Sequence, residues 1–196
     1  MRFLVSLTLA CALFVFLACS SPAPSPRKVY FLPIGDFPAE ATDRLVAHYK
    51  DKFDLAIEKL PAIELDPAII DRGRDQVVAE NLITLIRSRH ASLESDPNAI
   101  LIGLTGEDMY IQKYPWKFAF TFRQDERFAV VSTARMDPAN FGEPADESLL
   151  NTRLRKMVTK NIGILYFGKS QNNNPQSVLY SSVGGCEELD AMGEEF

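Results

Sequence analysis

Histidine moves protons near neutral pH and is the commonest metal ligand. In these 196 residues it occurs twice, at His48 and His90. The two fall in separate stretches of helical pattern, so they do not make a three-histidine metal site. Each reads as a surface or helix-end residue, and His90 near a helix C-terminus is favoured by the dipole. Glu107-Asp108 follows an apolar run, and strand ends are where ligands bind in open sheets. Neighbours on a strand point to opposite faces, so a turn is the expected role for this pair. Ser132-Thr133-Ala134-Arg135 offers hydroxyls without a histidine nearby and without a G-x-S-x-G elbow. That leaves Lys160, Asn161 and Ser170, polar residues in or just after an apolar-periodic stretch. A Ser–Lys or similar pairing there could activate a nucleophile. From Ser148 to Cys186 the chain has no His, Asp or Glu, and no Cys before Cys186 itself.

The element that must position these residues is Glu147 to Ser170. Leu150, Leu154, Met157, Val158, Ile162 and Leu165 recur at helical spacing, with Asn161 a polar exception. Asp146 is the expected N-cap and Gly168 the expected stop. Arg153, Arg155 and Lys156 read as a basic, solvated side. Before it, Lys28 to Ile34 reads as a buried strand. Ala39 to Lys52 reads as a helix, and Phe53 to Ile57 as a short returning strand. Pro61 to Arg74 is a connection broken by Pro61, Pro67 and Gly73. Asp75 is expected to cap a second helix, with Arg87 and Arg89 near its end. Ala99 to Thr105 is a continuous apolar run, as in a central strand covered on both faces. Trp116 to Phe122 and Arg127 to Thr133 read as strands joined by a hairpin at Gln124-Asp125-Glu126. The aromatic-rich strand bearing Trp116, Phe118, Phe120 and Phe122 reads as core, with a peptide-binding edge as the alternative. The expected class is α/β (α+β): a mixed twisted sheet with helices in the order β-α-β-α-β-β-β-α.

Composition bounds the function. Hydrophobic residues make up 46% and charged residues 24%, values of a globular chain with a sizeable core. A net charge of −5 argues against nucleic acid as a partner, because phosphate binding needs a basic surface. Residues 1–18 read as a signal peptide: Met1-Arg2, then an apolar run from Phe3 to Ala18, too short for a comfortable membrane span. Phe16-Leu17-Ala18-Cys19 resembles a bacterial lipobox, so Cys19 is the expected lipidation site; an ordinary secretory signal or an uncleaved anchor are the alternatives. Residues 19–27, rich in Ser and Pro, then form an extended tether. With Cys11 removed and Cys19 lipidated, Cys186 is left without a disulfide partner. A single domain is expected over 28–196, exported and held in the cell envelope or periplasm by the lipid.

Several strings, in this order, resemble the archaemetzincin family, a branch of the zinc metzincins. They are Val29-Tyr30-Phe31-Leu32-Pro33-Ile34-Gly35, Gly103 to Ile111 (GLTGEDMYI), Val130-Val131-Ser132-Thr133-Ala134-Arg135 and Glu187-Glu188-Leu189-Asp190. The resemblance implies a zincin-like fold in which the long helix carries H-E-x-x-H-x-x-G-x-x-H. There, three neutral imidazoles hold zinc and the Glu is the general base for the metal-bound water. With Gly163 aligned to the family's frequent Gly, the first His falls at Lys160, the Glu at Asn161, the second His at Ile164 and the third at Ser170. The Gly bend falls at Phe167, and the position of the methionine turn at Leu179. Lysine binds zinc poorly because its unperturbed pKa is ~10.4 and zinc needs a deprotonated ligand; isoleucine does not ligate. The expectation is therefore no metal, no cofactor and no catalytic residue, in a degenerate relative that binds a peptide or protein partner in the old cleft. Lys160 and Asn161 would lie at its floor, where the pair could hold an anionic ligand, or Lys160 could fill the vacated zinc charge or snorkel outward. The alternative is an active peptidase or hydrolase, zinc-dependent or not, with a non-standard site around Lys160, Asn161 and Ser170.

Overall fold

The computed structural model describes residues 26–196; the expected signal peptide, Cys19 and most of the tether lie outside them. Five strands form the main sheet: β1 (Lys28–Ile34), β2 (Ile57–Lys59), β5 (Ala99–Thr105), β7 (Thr121–Gln124) and β8 (Phe128–Ser132), in the order β2-β1-β5-β8-β7. β1, β2, β5 and β8 run parallel, and β7 alone is antiparallel, paired to β8 on one side and forming the sheet edge. A second sheet of three short strands, β3 (Ile70–Asp71), β4 (Gln76–Val78) and β6 (Met109–Tyr110), packs beside it. The mixed sheet with helices is the expected fold class; the three short strands were not anticipated.

Alternation along the strands divides the core. Val29, Phe31, Ile100, Ile102, Leu104, Ala129 and Val131 face α1 (Ala39–Phe53) and α4 (Glu147–Leu165). Tyr30, Leu32, Ile34, Leu101, Phe128 and Val130 face α2 (Ala79–Arg89) and the small sheet. Because β5 is buried on both faces, it reads as an unbroken apolar run. Two short helices, α3 (Ala91–Glu94) and α5 (Cys186–Ala191), complete the fold. No helix among the described residues is long and apolar enough to cross a membrane.

Four local expectations are corrected. The strand expected at Phe53 to Ile57 begins instead at Ile57, because α1 runs through Phe53 and ends on Asp54 in the left-handed region at φ 51°. Asp75 does not cap α2. It sits at φ 54°, and Val77 and Val78 pair with Met109 and Tyr110 before the helix starts at Ala79. The β-branched pair thus joins the small sheet rather than a helix. The strand expected from Trp116 begins only at Thr121, and Trp116 is 53% exposed, stacked on Tyr114. The hairpin is present, with Asp125 and Glu126 both at positive φ.

The fourth correction concerns α4. Its ends follow expectation: the Asp146 side chain accepts from the Leu149 N–H, and Gly168, at φ 64°, follows the last turn, where the Lys169 N–H reaches the Gly163 carbonyl. Its basic side is not solvated. Arg153 and Lys156 are 9% and 6% exposed, because α5 lies across them. Arg153 grips Asp190 through Nε and Nη2 and the Met136 carbonyl through Nη1. Lys156 donates to the carbonyls of Leu189 and Asp190, at the negative end of α5.

Candidate functional site

The antiparallel edge strand β7 lies over the C-terminal half of α4. Strand alternation sends Phe122 to the α2 side, and Thr121 and Arg123 toward α4. There they meet Asn161, which is fully buried. Asn161 Nδ2 donates to Thr121 Oγ1 at 2.9 Å and to the Met157 carbonyl at 2.8 Å, and Oδ1 accepts from Arg123 Nη1 at 3.0 Å. The amide is thereby satisfied at both ends, which removes the main cost of burying it. Arg123 Nη2 reaches outward to Gln171 Oε1 at 3.2 Å, an exposed contact.

Lys160, next on the helix, is 3% exposed, and its ammonium donates to the Tyr180 carbonyl. Tyr180 belongs to the segment that returns over the end of α4, held by Asn172 N–H to the Leu179 carbonyl and Ser181 N–H to the Asn172 carbonyl. Leu179, 7% exposed, packs against Gly163; a Cβ there would come within 3.2 Å of Leu179 Cδ2 and of Phe196 Cδ1. Burial, and after it the Arg123 guanidinium, lowers the Lys160 ammonium to about 8. Burial likewise lowers Arg123. Neither cation forms an ion pair with a carboxylate among the described residues.

The six candidate positions separate. Lys160 and Asn161 sit side by side in this network. Ile164 is half-buried against the α1/α4 core, and Leu179 is in that core. Ser170 is exposed, and among the described residues its hydroxyl makes no hydrogen bond to Lys160. Phe167 is exposed beside Phe53 and Phe196. A zinc ion does not fit this donor set. The positions that the resemblance aligns with its ligands carry an ammonium beside a guanidinium, an isoleucine and an exposed serine, the general-base position carries a satisfied amide, and no group of three or more His, Cys, Asp or Glu among the described residues could hold a metal. Sequence reasoning missed Thr121, Arg123, Gln171 and Tyr180. The alternation of Thr121 and Arg123 with Phe120 and Phe122 was the available signal.

The other chemistry-bearing residues take structural positions. Asp108 accepts from Arg135 and from Gln76, and the Glu107 carbonyl accepts from Ser132 Oγ. His48 is on α1 and His90 ends α2; burial lowers both imidazoles. Cys186 Sγ donates to the Arg135 carbonyl at 3.0 Å, and burial raises the thiol, which makes it a poor nucleophile. Along the same edge, toward the start of α4, a groove of about 330 Å³ is lined by Phe118, Phe120, Arg135, Pro138, Phe141 and Cys186, among others. The Arg135 guanidinium lies over the rings of Phe118 and Phe141, 5.2 and 5.8 Å from their centroids.

No protein-family model and no curated protein sequence matches the chain. Solved structures do. The archaemetzincin of Archaeoglobus fulgidus, in complex with malonate, superposes with a TM-score of 0.68 at 20% identity, over 86% of this chain and 94% of that one. The archaemetzincin of Methanopyrus kandleri gives 0.68 at 24%, over 89% and 91%. A zinc-dependent peptidase of Methanocorpusculum labreanum gives 0.70 at 18%, over 86% and 95%. The fold is archaemetzincin-like.

Proposed function

We propose that this chain is a non-catalytic member of the archaemetzincin-like fold, anchored in the cell envelope by a lipid on Cys19, and that it binds an extended peptide or a partner protein's loop along β7. One observation carries the reading: where a zinc peptidase of this fold needs imidazoles and a carboxylate, Lys160 and Asn161 are buried and tied to Tyr180, Thr121 and Arg123. An ammonium and an amide so engaged supply neither metal ligand nor general base. What remains is the binding half of a peptidase. β7 pairs on one side only, and the aromatic groove beside it has room for an apolar side chain. Lipid anchoring rests on the Ala18-Cys19 lipobox and the Ser/Pro stretch that follows.

Two measurements test this. Elemental analysis of the chain, purified without chelator, is expected to give zinc well below one per chain; stoichiometric zinc with peptide hydrolysis overturns the reading. Hydrogen exchange with an excess of extended apolar peptide is expected to show new protection confined to Thr121–Gln124 and the 118–120 segment before it. Unchanged exchange there removes the peptide-edge reading while leaving the metal result standing.

A further inference from the structure

Buried cations are ordinarily paired, because desolvating a charge without a partner costs several kcal/mol. Arg153 obeys this rule, with Asp190 against its guanidinium. Lys156 has no carboxylate either but is held by two carbonyls at the end of α5, whereas the buried Lys160 and the half-buried Arg123 have neither. They approach one another closely enough for Arg123 to disfavour the Lys160 charge, and their acceptors are a carbonyl and two neutral amides. Each also keeps donors in reserve. Among the described residues Lys160 uses one of its three N–H groups and Arg123 two of its five. Arg123 reaches the exposed Gln171 on the outer side, whereas Lys160 and Asn161 behind it are buried. Donors held in place, two positive charges without a carboxylate and an outward reach to exposed Gln171 describe a receptor for an anion. The guanidinium fork favours a planar, bidentate one.

We propose that Lys160 and Arg123, held by Asn161 and Gln171, form a subsite for a carboxylate. It is either the C-terminal carboxylate of a peptide or a free carboxylic acid. The proposal rests on the absence of zinc from this position, but not on a peptide lying along β7. Within the described residues, the charged group that acts on Lys160 is Arg123 from β7. Tyr180, from the returning segment, faces it through its carbonyl, and Lys156, one turn earlier on α4, is engaged with α5.

The test uses the full chain in uncharged detergent and three probes: sodium acetate, an acetylated tripeptide acid, and the same tripeptide as its C-terminal amide. Titrations are followed by calorimetry and by the Lys160 side-chain NMR signal, with sodium chloride as the ionic control. At least one carboxylate probe is expected to saturate and to raise the Lys160 pKa from about 8. Binding is expected to weaken about tenfold per pH unit above that value, where the ammonium is lost. Lys160→Met and Arg123→Gln, each checked for native circular dichroism, are expected to weaken it at least about tenfold, the loss of one charge-assisted hydrogen bond. Saturation by the tripeptide acid alone identifies a peptide terminus, and saturation by acetate as well identifies a free-acid site. Equal binding of acid and amide without a shift at Lys160 overturns the subsite but supports the edge-strand reading. No saturation by either carboxylate probe in wild type overturns the subsite outright.

Discussion

Two pairs of basic residues, all buried except the half-buried Arg123, lie on or against the one helix α4, and they are treated differently. At the N-terminal half, Arg153 and Lys156 are covered by α5 and receive the Asp190 carboxylate and three backbone carbonyls. At the C-terminal half, Lys160 is buried under the 171–181 segment and Arg123, on β7, is half-buried against the helix, and both receive only neutral acceptors. The first pair is an internal clasp that docks α5: Asp190 offsets the Arg153 charge, and two carbonyls at the end of α5 hold Lys156. The second is left with an uncompensated charge, an arrangement that costs stability and that natural proteins retain mostly at functional sites. Burial of a lysine thus says little on its own; what faces it decides between structure and function.

The comparison breaks most visibly at Asp190. Asp190→Ala leaves Arg153, whose side chain is 10% exposed, without its carboxylate. Removing one partner of a buried pair costs about 3–5 kcal/mol, and because the Asp190 side chain is 41% exposed the loss is expected at the low end, about 3 kcal/mol. Urea unfolding checks this, with the cysteine-to-serine variant of Cys186 on the same helix as control. The Arg153 guanidinium holds the Asp190 carboxyl below its usual range. This contribution is therefore complete above the unfolded carboxylate pKa of about 3.9 and is lost as pH falls through the lower folded value. A smaller effect is expected at the other half. Asn161→Leu removes the amide that Arg123 and Thr121 share, leaving both without that partner, at a cost of about 2 kcal/mol. Should Asn161→Leu prove neutral, Arg123 would be free to turn to solvent, and the two halves of the helix would be less different than the geometry shows.

Local signals in the sequence were enough for the frame. β1 and β5 are apolar runs with turn residues after them, and both lie where expected. The ends of α4 are marked by one capping carboxylate and one glycine in the left-handed region. What could not be read was anything decided by a partner far along the chain. Arg153 and Lys156 look like a solvated face because the helix that covers them is six residues long and begins more than 25 residues later. Gln76–Val78 and Met109–Tyr110 are too short to show a period of two, so Val77 and Val78 passed for the inner face of a helix. At the site, Lys160 and Asn161 could be singled out by lining up the helix with a family motif. Arg123 could not, since its relation to them exists only once β7 crosses α4. Its place as every second residue of an aromatic strand was the sole trace in the sequence.

The smallest effect separates the two halves most cleanly, because its sign is reversed. Replacing Lys160 by Met removes a charge that the folded state strongly disfavours; burial lowers the Lys156 ammonium as well, but Asp190 and Glu194 oppose that shift and two α5 carbonyls hold it. The folded Lys160 ammonium titrates at about 8, below the unfolded value of ~10.4. Between these values the unfolded chain binds more protons than the native one, so wild-type stability rises with pH across that window, by at most about 1.4 kcal/mol per unit. Below about 8 both states are protonated and the full penalty is present. Lys160→Met escapes it but leaves the Tyr180 carbonyl without its donor, a loss of about 1–2 kcal/mol. A net gain of about 1–2 kcal/mol at pH 7 is expected, crossing zero at about pH 9 and becoming a small net loss by pH 10, where the wild-type amine is largely neutral and the lost Tyr180 bond remains. Lys156→Met is expected to lose stability at pH 7, because its two carbonyl acceptors on α5 are stranded. Chemical denaturation of the three proteins at pH 7 and pH 10 checks both signs. A Lys160→Met whose stability relative to wild type does not fall between pH 7 and pH 10 would mean that the charge at Lys160 is already compensated within the chain and that the anion subsite has no energetic basis, whereas a stabilised Lys156→Met would remove the contrast between the two halves of the helix.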